Sequence, residues 1–310
     1  MSSVPISAIR ELRERTQAGM ADCKNAYIEA EGNLEKAVEI ILKKGKAKSA
    51  KRAGKIAAEG EVRTEVFDGG RSAAIAEVNI ETDFSARNEN FVAFVDKVMA
   101  AAKTTAPGSD LLPVEVEGKT IADHAAELTA VVGEKVTVRR FDRVSIPEGK
   151  AGFCHSYVHM GGKIGVIVTI EADSQAVADH EAVKTFADET AMQVAAMNPM
   201  ALTRDQVDEA LVAKQREIFE AQLREDPKPK PEKVWPKIID GKVTKWFAEV
   251  VLLEQQSAQH KKAIDALRKE AGEAAGGTVT LTGFVRFERG EGIEKKQDDV
   301  REGVAELLQK

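Results

Sequence analysis

Two stretches of this chain repeat one another: GGRSAAIAEVNIETD at 69–83 and GGKIGVIVTIEAD at 161–173. Each opens on a glycine pair, runs into a string of small and β-branched apolar residues, and closes on acidic ones. Glycine pairs between such runs make tight hairpin turns. A chain built this way has to form two hairpins, and the repeat predicts two related halves, each a hairpin packed on helices. In the first half, 61–67 alternates, Asp68-Gly69-Gly70 turns, and 72–80 returns as a strand. A helix follows from about Thr82, with Phe91, Phe94, Val95 and Val98 at helical spacing. In the second half, 153–160 and 163–170 flank Gly161-Gly162, and a helix runs on through Ala195. A last strand at 278–287 is placed to complete the second sheet.

The period is helical before the first hairpin. Residues 1–44 read as three short helices. Ser7 caps the first, where Ala8, Ile9 and Leu12 form a stripe. The second starts at Asp22, with Cys23, Ala26, Tyr27 and Ala30 on one face, and Gly32 ends it. Asn33 caps the third, where Leu34, Ala37, Val38, Ile41 and Leu42 follow helical spacing. Such a unit suits docking better than catalysis. Between Lys43 and Lys55 the chain carries seven basic residues and no acidic one. Gly45 and Gly54 weaken a helix there, so the run reads as a mobile or partly helical linker, most simply a solvated one. In the second half, Thr203 and Gln206 form a capping box. Val207, Ala210, Leu211 and Ile218 then share a face, and the chain returns through Val243, Trp246, Phe247, Val250 and Val251. The tract PKPKPEKVWP at 227–236 reads as a non-helical tip, which makes the segment a projecting helical hairpin.

Signatures of bond-making chemistry are missing from the sequence. It contains no GxxxxGK[ST] phosphate loop, no GxGxxG after a strand and no HExxH. Its five histidines include one close pair, His155 and His159, and its two cysteines are Cys23 and Cys154, too few for a zinc site or a disulfide framework. The 310 residues carry a net charge of −6, no apolar run of bilayer length and no secretory signal, so a cytoplasmic binding protein without cofactor or metal is expected. At 77–88, EVNIETDFSARN ends a strand and begins a helix. Local physics alone makes Thr82 and Asp83 helix-start residues and Phe84 a staple packed into the core.

Three segments, in order and spacing, resemble the elongation factor Ts family: LRERTQAGMADCKNA at 12–26, EVNIETDFSARN at 77–88 and FVRFERGEGIEK at 284–295. Weaker likenesses are GEKVTVRRF at 133–141 and SYVHMGGKIGVIV at 156–168, and the resemblance runs from about Ile6 to the C-terminus. The chain departs from relatives in its longer Pro-Lys tip and in Ile80, where several members carry cysteine. The resemblance implies an α+β fold with an N-terminal three-helix domain of ubiquitin-associated type at 1–44 and a basic linker at 45–58. A two-part core with antiparallel sheets would follow at 59–145 and 146–289, with the helical hairpin inserted at about 203–256 and a C-terminal module at 290–310.

It also implies a guanine nucleotide exchange factor, not an enzyme, whose partner is the GTPase elongation factor Tu. Thr82, Asp83 and Phe84 would enter that GTPase, with Phe84 as the wedge. Val132, Gly133 and His159 would make further contacts, as would Arg13 and Met20 from the first domain. Neither a membrane nor direct nucleic-acid contact is expected. The alternative is an RNA- or ribosome-binding translation protein using the run from Lys43 to Lys55, although that run has no interleaved aromatics to stack on bases. The first 44 residues taken alone suggest a ubiquitin-like binding module, a reading that leaves the remaining chain unexplained.

Overall fold

The computed structural model describes residues 4–16, 18–226, 228 and 230–294. The chain divides into two compact units, one gathering the described residues of 1–62, 76–141 and 288–294, the other 63–75 and 142–287.

The first unit opens with α1 (Ile6–Thr16), α2 (Met20–Glu29) and α3 (Leu34–Arg52). Their shared core is Leu12, Ala18, Cys23, Ala26, Ala30, Ala37 and Ile41, with Ile9, Tyr27 and Leu34 packed on it. The small side chains let three short helices approach closely enough to exclude water. Asn33 caps α3 by accepting from the Lys36 N–H at 3.0 Å. Two expected helix starts move: α1 begins at Ile6, so Ser7 lies inside it, and α2 begins at Met20, just after Gly19.

Helix α3 also takes in much of the basic run. Each of four cations there meets a carboxylate: Lys44 pairs with Glu29, Lys46 with Asp123 at 2.7 Å, Lys48 with Asp22 at 2.9 Å and Arg52 with Glu81 at 2.6 Å. Gly45 is buried where α3 crosses α6 (Ile121–Val132), and a Cβ there would sit 3.1 Å from the Ala130 methyl. The glycine that weakens the helix locally is what lets it touch a second one.

A three-stranded sheet of order β1-β2-β5 runs through β1 (Glu59–Phe67), β2 (Ser72–Ile80) and β5 (Val136–Ser145), with a 3₁₀ turn at Asp68–Gly70 joining the first two. After β2 come α4 (Asp83–Ala86) and α5 (Glu89–Thr104) rather than one helix, because Asn88 takes extended backbone and caps α5 through the Asn90 N–H at 2.9 Å. Helix α5 buries Phe91, Phe94, Val95 and Val98 and packs on α6. A small ribbon of β3 (Glu115–Val116) and β4 (Lys119–Thr120) joins them.

The second unit holds β6 (Ala151–His159), β7 (Ile164–Ala172) and β8 (Val279–Glu288) in one sheet, with β6 and β7 antiparallel from Ala151↔Ala172 to His159↔Ile164. It continues with α7 (Gln175–Ala178), α8 (Glu181–Met197), α9 (Glu209–Arg224), α10 (Trp235–Val250) and α11 (Ile264–Ala275). Val166, Val168 and Ile170 of β7 pack with Phe186, Ala191 and Val194 of α8 and with Leu252, Ile264 and Leu281.

Helices α9 and α10 form the hairpin, held by Leu223, Ile239 and Val243 with Phe219, Trp235 and Phe247. The expected capping box does not form. Gln206 accepts instead from the Leu202 N–H at 3.0 Å, and α9 starts later, where Asp208 caps the Ala210 N–H at 2.8 Å. Pro236 lies in the first turn of α10, where a missing N–H leaves no helical bond unmade, so the end of the expected non-helical tract is helical. Pro227 and Pro229 of that tract, and 295–310 of the expected C-terminal module, lie outside the described residues. No helix among the described residues is long and apolar enough to cross a membrane.

The repeat seen in the sequence is a repeat of elements. The run β1, β2, α4, α5 has the same order and strand lengths as β6, β7, α7, α8. Likewise α6 leads into β5 as α11 leads into β8, each through a left-handed glycine cap, Gly133 and Gly276. The fold is α+β with antiparallel sheets.

Candidate functional site

Strand β2 is buried along its whole length and ends at Ile80. Thr82 then takes extended backbone and caps α4, its hydroxyl accepting from the Ser85 N–H at 3.3 Å. The turn projects Phe84, which is 82% exposed. Burying such a side chain is worth about 1.5–3 kcal/mol. Little of that is realised within the chain, so the expectation that Phe84 staples the core is overturned. Asp83 is exposed and lies 3.7 Å from Arg87, a loose surface pair.

The backbone beneath this aromatic is held from one side by the loop that follows α6. Glu134 accepts from the Thr82 N–H at 3.0 Å, from the Thr82 hydroxyl at 2.9 Å and from the Ser85 hydroxyl at 2.7 Å. Glu81 accepts from the Lys135 N–H at 2.6 Å and from Arg52 at 2.6 Å. Each glutamate thus receives the backbone N–H of the residue after the other. Lys135 extends its ammonium to the carbonyls of Ala53 and Lys55, at 2.7 and 3.0 Å, tying the end of α3 to the same place.

Val132, half-buried, is the last residue of α6, and Gly133 is its exposed left-handed cap. The structure therefore brings Val132 and Gly133 to the Thr82–Phe84 corner through the adjacent Glu134. Arg13 is exposed on α1, and Met20, 62% exposed, is the first residue of α2. His159 ends β6 in the other unit, exposed, its Nδ1 2.9 Å from the Tyr157 hydroxyl and its ring stacked on that tyrosine. Sequence reasoning missed Glu81, Ser85 and Glu134. Aligning the two halves down to their helix ends would have exposed Glu134, because the other half has Gly277 there.

A buried charge lies within this sheet, three residues before the end of β2. Glu77 of β2, wholly buried, accepts from Arg139 at 2.9 Å, Arg140 at 2.7 Å, Asn79 at 3.1 Å and the Gly290 N–H at 2.7 Å. Burial by itself pushes its carboxyl up; the Gly290 N–H, Arg139, Asn79 and Arg140 together outweigh that and hold it below the usual value. Arg140 also reaches the Glu288 carbonyl at 3.0 Å, so Glu288 and Gly290 of the first unit are both held at this carboxylate cluster.

The corner thus carries an unburied aromatic on a turn braced by hydrogen bonds. Against known proteins, the family described as Elongation factor TS matches residues 81–291. The chain is 40% identical over 307 residues to an Elongation factor Ts of Clostridium kluyveri, covering 97% of each chain. It is 41% identical over 310 residues to that of Clostridium perfringens (98% of this chain, 99% of the relative). The figure is 41% over 306 residues for that of Nitratiruptor sp. (98% of each). This makes the chain a translation elongation factor, and it belongs to the elongation factor Ts family.

Proposed function

We propose that this chain binds elongation factor Tu in its GDP form and promotes release of the nucleotide, making and breaking no covalent bond itself. The observation that carries this reading is the 82% exposure of Phe84 on a corner braced by Glu134. GDP on such a GTPase is held by backbone amides around its phosphates and by Mg²⁺. A second protein speeds release only by favouring a state in which those contacts are broken. By reciprocity it binds the empty GTPase more tightly, by the factor with which it weakens GDP. An exposed aromatic that becomes desolvated in the complex can supply about 2 kcal/mol of that preference, about thirtyfold in rate. Phe84 is the wedge, Thr82 and Asp83 start the helix that carries it, and Val132 and Gly133 widen the same contact. Arg13 and Met20 on the three-helix domain, His159 in the second half of the core and the C-terminal module provide affinity.

No observation favours the RNA alternative. Lys44, Lys46, Lys48 and Arg52 of the basic run already sit against this chain's own carboxylates. The test is stopped-flow release of fluorescent GDP from elongation factor Tu. Acceleration by the wild type that falls about thirtyfold in Phe84→Ala is expected. Absence of acceleration by the folded wild type sinks the function. A Phe84→Ala variant as fast as wild type keeps the function and moves the wedge elsewhere.

A further inference from the structure

The geometry points to Glu134 as the positioning residue of the exchange surface, the group that sets the direction in which Phe84 is presented. This rests on the exchange reading above and adds to it a residue that touches no partner.

Three observations converge. First, Glu134 takes its donors from both sides of Phe84: the Thr82 N–H and hydroxyl before it and the Ser85 hydroxyl after it, all within 3.0 Å. An aromatic side chain with no packing of its own is aimed only by its backbone, and these bonds fix that backbone. Hydrogen bonds to a charged acceptor are the stronger kind.

Second, the molecule contains the same corner without this carboxylate. At the end of β7, Ser174 caps α7 by accepting from the Val177 N–H at 3.3 Å, as Thr82 caps α4. Asp173 accepts from the Thr278 N–H at 2.6 Å, as Glu81 accepts from Lys135. Yet Gly277 follows the glycine cap where Glu134 does in the first half, and Val177 replaces Ser85. A Cβ on Gly277 would meet the Val177 Cγ2 at 2.7 Å, so an apolar contact occupies the space of the carboxylate clasp. A four-residue helix under a hydroxyl cap therefore folds without a glutamate there.

Third, the corner that lacks the glutamate also lacks the aromatic. Ala176 is the second residue of α7, where Phe84 is the second of α4. The carboxylate goes with the exposed ring, not with the turn. Since Glu134 directly follows the cap of α6, the ring's direction is referred to that helix.

The experiment compares Glu134→Ala and Glu134→Gln, each alone and combined with Phe84→Ala, in GDP release from elongation factor Tu and in amide hydrogen exchange of the free protein. Glu134→Ala should lower kcat about tenfold and leave KM within about twofold, while Glu134→Gln, still able to accept from a hydroxyl, should recover most of the rate. With Phe84 already replaced, losing Glu134 should cost less than about twofold, because it acts through that ring. In the free protein, Glu134→Ala should speed amide exchange over 83–86 and leave 175–178 unchanged. A wild-type rate in Glu134→Ala, or an equal loss with and without Phe84, overturns the inference. Unchanged protection over 83–86 overturns it whether or not the chain acts on that GTPase. A wild type that fails to release GDP, with the corner loosened as described, overturns the proposed function alone.

Discussion

At the end of β2 the chain turns on Thr82 into a four-residue helix, and at the end of β7 it does the same on Ser174. The second turn is closed by small apolar atoms: Val177 is buried and Gly277 makes room for it. The first is closed by a carboxylate shared among three donors, and it leaves Phe84 in water. The contrast extends into the strands. Glu77, wholly buried beneath two arginines, occupies the place in β2 that Thr169 holds in β7. One backbone scheme is thus stabilised twice, once mainly by packing and once by buried and half-buried polar groups. The polar version leaves an apolar side chain in water.

The comparison is most severely tested at its charged end. Glu77→Gln should cost about 3 kcal/mol at neutral pH, because Arg139 and Arg140 then face an uncharged amide over desolvated backbone. Chemical denaturation measures it. The folded-state value of Glu77 lies below the ordinary one near 4.5, so its stabilisation is present above that value and is lost as the pH falls through the folded-state value. Wild type should therefore lose stability on acidification more steeply than Glu77→Gln. Equal slopes would mean that the network does not hold the charge.

Next in size is the aromatic itself, with about 2 kcal/mol of exchange activity expected to vanish in Phe84→Ala at unchanged unfolding midpoint. Ala176→Phe, which gives the second corner the same side chain without the carboxylate, should leave GDP release at the wild-type rate. A rise would show that the ring alone suffices. The smallest effect belongs to the apolar closure. Gly277→Ala should destabilise the fold by about 1.5 kcal/mol through its clash with Val177, read as a lower denaturation midpoint. No loss would show that the second corner is not packed as tightly as its geometry suggests.

Hairpins, bundle and helical hairpin were legible in the sequence because each is written in local periodicity: Gly69-Gly70 and Gly161-Gly162 punctuate alternation, and Leu34 to Leu42 keep to helical spacing. What escaped depends on partners far along the chain. A basic run looks solvated until Asp22, Glu29, Glu81 and Asp123 arrive beside it, and the crossing at Ala130 explains a glycine that otherwise argues against a helix. Thr203 and Gln206 have the spacing of a capping box, but the Leu202 N–H claims the glutamine first. Phe84 was the hardest to read, since an aromatic at a helix start normally packs. Only the family likeness pointed outward, and the residue that braces it lies 52 positions away from Thr82.

Helix α3, finally, is 19 residues long, a rod of roughly 28 Å. It is docked on the bundle along its first half, on α6 in its middle and on Glu81 at its end. For any partner that touches both the bundle and the Phe84 corner, this turns a tethered pair of contacts into a single pre-set one. The search volume that a loose tether would leave at the moment of encounter has already been removed by folding, so the second contact forms at a fixed distance and orientation from the first.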